Sequence, residues 1–234
     1  MNIIVTGASR GIGYELVRFF ARNRNNHVVA ISRNGAALKQ LAAECVKADK
    51  EAKVTPYEFD LLQFDFYPFI VQRIQTFIPT CDILINNAGK LVNKPFKDLD
   101  QSDFDDIFNV NIKGAYFLTQ AILPMMNKGG HIINISSMGG LQGTRKFRGL
   151  SAYSASKGAL TVLTECLAEE LMENDIAVNC LALGAVNTEM FGKAFPGLKA
   201  FQNPPPMAQY IGEFALNGHK FFNGKVIPIA NSLP

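Results

Sequence analysis

Residues that hold metals or cross-link a chain are scarce in this sequence. Of 234 residues, four are cysteine and three histidine. Cys45, Cys81, Cys166 and Cys180 lie far apart with no Cys-x-x-Cys spacing. That excludes the common zinc arrangements and a disulfide framework, and it suits a reducing compartment. Excess charge is lacking too. The 23 Lys and Arg against 20 Asp and Glu leave +3, too little to expect nucleic acid or an acidic membrane as partner. No apolar run approaches the ~18 residues that cross a bilayer. The chain opens directly on Asn2-Ile-Ile-Val-Thr6, a strand pattern rather than a leader. The expectation is a cytoplasmic protein.

What is present is a regular alternation. Short apolar runs predict strands at 2–6, 27–32, 53–59, 82–86, 130–136, 176–182 and 225–229. Helical spacing fills the intervals at 12–23, 35–49, 63–77, 101–125, 153–174 and 207–216. Strands that alternate with helices imply an α/β fold, a mostly parallel seven-stranded sheet doubly wound with helices on both faces. Pro56 directs the third strand to an edge. Neither repeat nor linker interrupts the pattern, so residues 1–234 read as a single domain. One irregular segment, about 184–206 and ending in Pro204-Pro-Pro206, reads as a short flap over a site or as a Pro-rich connection.

Thr6-Gly-Ala-Ser-Arg-Gly-Ile-Gly13 joins the first strand to the first helix. Gly7, Gly11 and Gly13 remove side chains where a backbone must turn tightly against a diphosphate, and the helix start behind them offers free N–H groups. A dinucleotide fold that takes NAD usually has Asp or Glu at the end of the second strand, for the ribose 2′-hydroxyl. Ser32 and Arg33 stand there instead, with Arg10 nearby in sequence order of elements. Two guanidinium groups and no carboxylate suit a 2′-phosphate, hence NADP(H) in preference to NAD(H).

Ser151-Ala-Tyr-Ser-Ala-Ser-Lys157 places a phenol and an ammonium four residues apart, on one face if the run is helical. A nearby cation favours the phenolate, but moving a Tyr from pKa ~10 to neutrality takes about three units, roughly 4 kcal/mol. One lysine alone falls short of that, so a second positive charge, such as an oxidised nicotinamide ring, would help.

With these residues in place the chain resembles the classical short-chain dehydrogenases/reductases over essentially its whole length. The matching pieces are the glycine turn, Asp60-Leu61, Asn86-Asn-Ala-Gly89, Asn111 within Asn109-Val-Asn111, Ile135-Ser-Ser137 and Tyr153-Ser-Ala-Ser-Lys157, in order. The resemblance implies a Rossmann fold and an NADP-dependent oxidoreductase acting between a carbonyl and a secondary alcohol. It implies Tyr153 as general acid/base, Lys157 as the group that lowers the tyrosine pKa and holds the nicotinamide ribose, and Ser137 as the holder of the substrate oxygen. Asn111 would keep a water in a proton relay. Gly7, Ser9, Arg10, Gly11, Ile12, Gly13 and Arg33 would bind the cofactor, Asp60 and Leu61 its adenine, and Asn87, Ala88 and Gly89 would line its cleft. Val186 and Thr188 would hold the carboxamide.

Three departures stand out. The Ser137–Tyr153 interval is long and carries Arg145, Lys146 and Arg148, which points to an anionic substrate or to a solvated loop. Leu183-Gly184 replaces a usual Pro-Gly, leaving that turn less restrained. The flap is short, which suggests an open site. By analogy the substrate is a 3-oxoacyl thioester, although the acidic run Glu165–Glu173 would repel an acidic carrier protein. The alternative is a nicotinamide-dinucleotide-sensing binding protein without turnover. Leu160, Leu163, Leu167 and Leu171, with Phe104, Ile107 and Phe108, recur at helical spacing. The family pairs these two helices, which implies a homotetramer.

Overall fold

A computed structural model describes residues 1–230; the last four residues of the domain expected over 1–234 lie outside it. The chain runs β1 (Asn2–Thr6), α1 (Gly11–Ala21), β2 (His27–Ser32), α2 (Gly35–Ala48), β3 (Lys53–Glu58), α3 (Tyr67–Gln75) and β4 (Cys81–Asn86). It continues with α4 (Gln101–Phe108), α5 (Gly114–Ile122), β5 (Met126–Ser137), α6 (Ser151–Glu170) and β6 (Ile176–Leu183). Then come α7 (Glu189–Ala194), α8 (Pro204–Asn217) and β7 (Val226–Ile229).

The strands form one sheet in the order β3-β2-β1-β4-β5-β6-β7, every neighbouring pair parallel. This is the doubly wound Rossmann arrangement. Because side chains alternate along a strand, each strand feeds two cores. Ile3, Val5, Val28, Ala30, Ile83 and Ile85 pack with Leu16, Phe20, Leu41 and Ile211 of α1, α2 and α8. Ile4, Val29, Ile31, Leu84 and Ile132 pack on the other face with Ile70, Leu118 and Ile122 of α3 and α5. Pro56 does sit in the edge strand β3.

Three elements differ from the sequence pattern. The helix expected over 101–125 is interrupted by a π turn at Asn109–Lys113, with α4 before it and α5 after it. The flap segment contains α7, capped by Thr188, whose Oγ1 accepts a bond from Phe191 N at 3.2 Å. The three prolines begin α8 rather than precede it. Proline suits the first turn of a helix, where its missing N–H has no partner to lose. Among the described residues no helix is long and apolar enough to cross a membrane.

His131, 1% exposed in β5, ties the sheet to α8. Its Nδ1 bonds Ala215 O and its Nε2 bonds Asn179 Nδ2, each at 3.0 Å, which requires the neutral ring with the proton on Nδ1. Burial pushes its pKa down to about 4 from 6.5. The folded value is depressed, so the contribution is complete above pH 6.5 and is lost as the unfolded chain takes up a proton on descent to pH 4. The expected loss is about 3 kcal/mol. Urea unfolding between pH 7 and 4 checks this: the wild type should weaken by about that much more than His131→Gln. Parallel pH dependences would exclude it.

Candidate active site

The C-terminal ends of the strands carry the candidate residues. After β1 the chain turns through Gly7 (φ +66°) and Gly11 (φ +59°). A Cβ on Gly7 would lie 2.8 Å from Ala88 Cα, and one on Gly13 would lie 2.4 Å from Gly7 O. No side chain fits at either place. Thr6 brings the two loops this close. Its Oγ1 accepts bonds from Asn87 N and Ala88 N, both at 3.0 Å, and Asn87 Nδ2 donates to Thr6 O at 2.9 Å. Ser9 lies in the turn, and Ile12 anchors it by packing against the first core. No side chain caps the start of α1, so its first N–H groups stay free. A side-chain-free turn before an uncapped helix fits a cofactor diphosphate.

The two arginines have partners of their own. Arg10 Nη1 lies 2.8 Å from Glu189 Oε1 on α7. The Arg33 side chain is 66% exposed, its Nη1 4.0 Å from Asp60 Oδ2. Asp60 Oδ1 accepts a bond from Leu62 N at 3.0 Å. Leu61 is buried in the second core, its Cβ against Gly114. The Leu61 side chain therefore packs inward, and its carbonyl accepts a bond from Tyr67 Oη at 2.9 Å.

Tyr153 and Lys157 rise from the first turns of α6. Lys157 is 3% exposed, and its Nζ donates to Ile135 O at 2.8 Å, 6.0 Å from the centre of the Tyr153 ring. Burial pushes the Lys157 ammonium down to about 8. Burial also pushes the Tyr153 phenol up, while a bond with Ser137 acts in the opposite sense. In the protein alone, burial therefore outweighs the effect of the nearby Ser137 hydroxyl. Both shifts disfavour charge, so an added positive charge beside the phenol would have a large effect there.

Asn111 is 1% exposed in the π turn. Its Oδ1 accepts a bond from Lys90 N at 2.7 Å, and its Nδ2 donates to Lys90 O at 3.0 Å and to Ser156 Oγ at 2.8 Å. The residue inserted by the π turn re-aims this side chain, a common device at functional sites. A Cβ on Gly89 would stand 3.4 Å from Asn111 Oδ1 and 3.5 Å from Lys157 Nζ, so the structure brings Gly89, Asn111 and Lys157 together. Neighbouring serines hold the helix in place. Ser136 Oγ donates to Lys157 O at 2.8 Å, and Ser156 Oγ donates to Tyr153 O at 2.7 Å.

The flap is tied down rather than splayed. Asn187 Nδ2 donates to Ala200 O at 2.8 Å and to Asn203 Oδ1 at 2.9 Å, and Val186 pairs with Gln202. Gly184 N donates to Ile229 O at 2.9 Å, restraining the turn that lacks the usual proline. Asn93 Nδ2 donates to Ala194 O at 2.7 Å, and Lys94 N donates to Gly149 O at 3.1 Å. Thr188 also meets the glycine turn, where a Cβ on Gly11 would be 3.3 Å from its methyl. Sequence reasoning gave no part to Thr6, Asn93, Ser136, Ser156 or Glu189. Each is an ordinary strand, loop or helix residue until the chain folds. Among the described residues no three His, Cys, Asp or Glu gather as a metal site requires.

This fold, with a glycine turn at the first strand and a Tyr/Lys pair on the sixth helix, defines a class, and residues 1–199 match the short chain dehydrogenase family. The chain belongs to that family, whose members are nicotinamide-dependent oxidoreductases. It is 30% identical to the 3-oxoacyl-[acyl-carrier-protein] reductase FabG of Thermotoga maritima, over 98% of this chain and 96% of that protein. It is 34% identical to the ketoacyl reductase HetN of Nostoc, over 80% of this chain and 63% of that protein. A short chain dehydrogenase of Escherichia coli, solved with NADPH, superimposes with a TM-score of 0.87 at 28% identity, covering 97% of this chain and 95% of the other.

Proposed function

We propose that the protein is an NADPH-dependent carbonyl reductase, reversible as an alcohol dehydrogenase, in which residues 1–234 form one domain. The observation that carries this reading is the gathering of Asn111, Tyr153 and Lys157, with Ser137 close to the phenol, beside the glycine turn. A bound nicotinamide would supply or accept the hydride. Ser137 holds the substrate oxygen, and Tyr153 gives it the proton in reduction or removes it in oxidation. Lys157 holds the nicotinamide ribose and favours the phenolate, and Asn111 orders the relay behind it. Gly7, Ser9, Arg10, Gly11, Ile12 and Gly13 hold the diphosphate side. Asp60, Leu61, Asn87, Ala88 and Gly89 line the cleft, and Val186 and Thr188 meet the carboxamide.

Arg33 and Arg10 support NADP(H) over NAD(H), as does the NADPH bound by the Escherichia coli relative. The reductase names of the two curated relatives support a 3-oxoacyl thioester as the first substrate to try. Exposed Phe104, Tyr116 and Val162 on α4, α5 and α6 support pairing of these helices in a homotetramer. We take the protein to be cytoplasmic.

The test follows NADPH oxidation with a short 3-oxoacyl thioester, with NADH in parallel. NADPH should be preferred by at least tenfold in kcat/KM. Arg33→Ser should cut that preference about tenfold, the size of one charge-assisted hydrogen bond. Equal use of NADH by the wild type would refute the 2′-phosphate reading.

A further inference from the structure

A groove of about 720 Å³ opens beside the candidate site, between the start of α6, the loop from Gly139 to Leu150, and Pro95-Phe96. Its size is that of a small-molecule site. Phe96, Leu141, Phe147 and Leu150 form much of its wall. Phe96 is 84% and Phe147 44% exposed, so large aromatic surfaces stand in water. Lys146 and Arg148 are the charged residues of the lining, and no acid joins them. Neither forms an ion pair among the described residues. Lys146 Nζ donates to Leu141 O and, at 2.9 Å, to Thr144 Oγ1, which fixes the cation on its own loop. Arg145 is placed differently, its guanidinium 6.0 Å from the Phe147 ring centre.

The groove reaches the edge of the candidate chemistry at Gly139 and Ser154. A Cβ on Gly139 would lie 3.1 Å from Ser154 Oγ, which lines the groove, and 3.6 Å from Ser137 Oγ, which belongs to the site. At the far side Lys94 N holds Gly149 O at 3.1 Å, and a Cβ on Gly149 would overlap Asn93 Oδ1, so the loop bearing Arg148 is pinned to the mouth. Apolar walls with two unpaired cations and no acid complement a ligand that has an apolar chain and an anionic end.

We infer that this groove takes the distal part of the substrate, and that the substrate is an oxo acid: a carbonyl at Ser137 and Tyr153, an apolar chain along Phe96, Leu141 and Phe147, and a carboxylate at Lys146 and Arg148. The inference rests on the carbonyl-reductase reading for its carbonyl end, and its anionic end is tested without turnover.

Calorimetric titration with decanoate, 1-decanol and butyrate separates the two. Decanoate should bind at least tenfold more tightly than either of the others, because only it has both chain and charge. Arg148→Ser should weaken decanoate at least fivefold, and Lys146→Ser with Arg148→Ser should bring it to the level of decanol, with NADPH affinity unchanged. Tyr153→Phe should bind decanoate as the wild type does, so loss of catalysis and loss of the groove are read apart. As substrates, 9-oxodecanoate should exceed 2-decanone about tenfold in kcat/KM, and that ratio should fall towards one in Arg148→Ser. Decanoate binding no better than decanol, or unchanged in the double variant, would overturn the inference. A second copy of the chain seated over the groove would also overturn it, seen as an assembly that binds no decanoate.

Discussion

Tyr153→Phe is expected to reduce turnover by about 10²–10⁴, the usual share of a positioned general acid, while NADPH still binds. The change removes one oxygen and the proton it carries. The ring still fills its place on α6, and the glycine turn, Thr6 and Asn87 are untouched. Reduction needs the protonated phenol. Burial holds Tyr153 protonated, which keeps a proton on the oxygen that the reading assigns as donor. Stopped-flow measurement of NADPH binding beside steady-state assay of the variant decides the matter. If the variant turns over like the wild type, Tyr153 is not the acid. If neither protein turns over any carbonyl compound while both bind NADPH, the dinucleotide-sensing alternative holds instead.

Lys157→Met should abolish activity and make the protein more stable. Lys157 is 3% exposed, and burial pushes its pKa from 10.5 down to about 8. The folded value is depressed, so at pH 7 both states carry the proton and the folded state bears the whole penalty of a buried ammonium. That penalty is about 3 kcal/mol, and it is relieved only as pH rises from 8 towards 10.5. Methionine fills a similar volume without charge. It gives up the bond to Ile135 O, at 2.8 Å, worth roughly 1–2 kcal/mol. The net expectation is a gain of about 1–2 kcal/mol in urea unfolding at pH 7. The wild type should also gain stability between pH 8 and 10.5 relative to the variant. A variant less stable than wild type at pH 7 would show that the bond to Ile135 outweighs the buried charge. A residue that weakens the fold yet is kept at a site is what a trade of stability for chemistry looks like.

The two serines around this lysine show why the site was only partly legible in the sequence. Ser136 and Ser156 belong to the motifs that were read, Ile135-Ser-Ser137 and Tyr153-Ser-Ala-Ser-Lys157. Only the folded chain shows that one bonds Lys157 O and the other joins Tyr153 O to Asn111. Asn93 and Glu189 belong to no motif at all. Their partners are Ala194 O and Arg10, over a hundred residues away in each case, and no local pattern encodes such a pairing. The helix expected over 101–125 has a related cause. Hydrophobic spacing tolerates one inserted residue, so the π turn at Asn109–Lys113 leaves no period of its own.

What the sequence determined by itself was whatever depends on neighbours along the chain. Alternating apolar runs determine a parallel α/β sheet, because each strand must be buried on both faces and each crossover must be a helix. Glycine at 7 and 13 determines a turn with no room for a Cβ. Tertiary structure decided what depends on neighbours in space. It set the pKa of Lys157 through burial, aimed Asn111 through a π turn, and tied the flap at Asn93 and Glu189. It also put Phe96 and Arg148 on one groove. Burial and hydrogen bonding act over a few ångströms, and only folding brings residues distant in sequence within that reach.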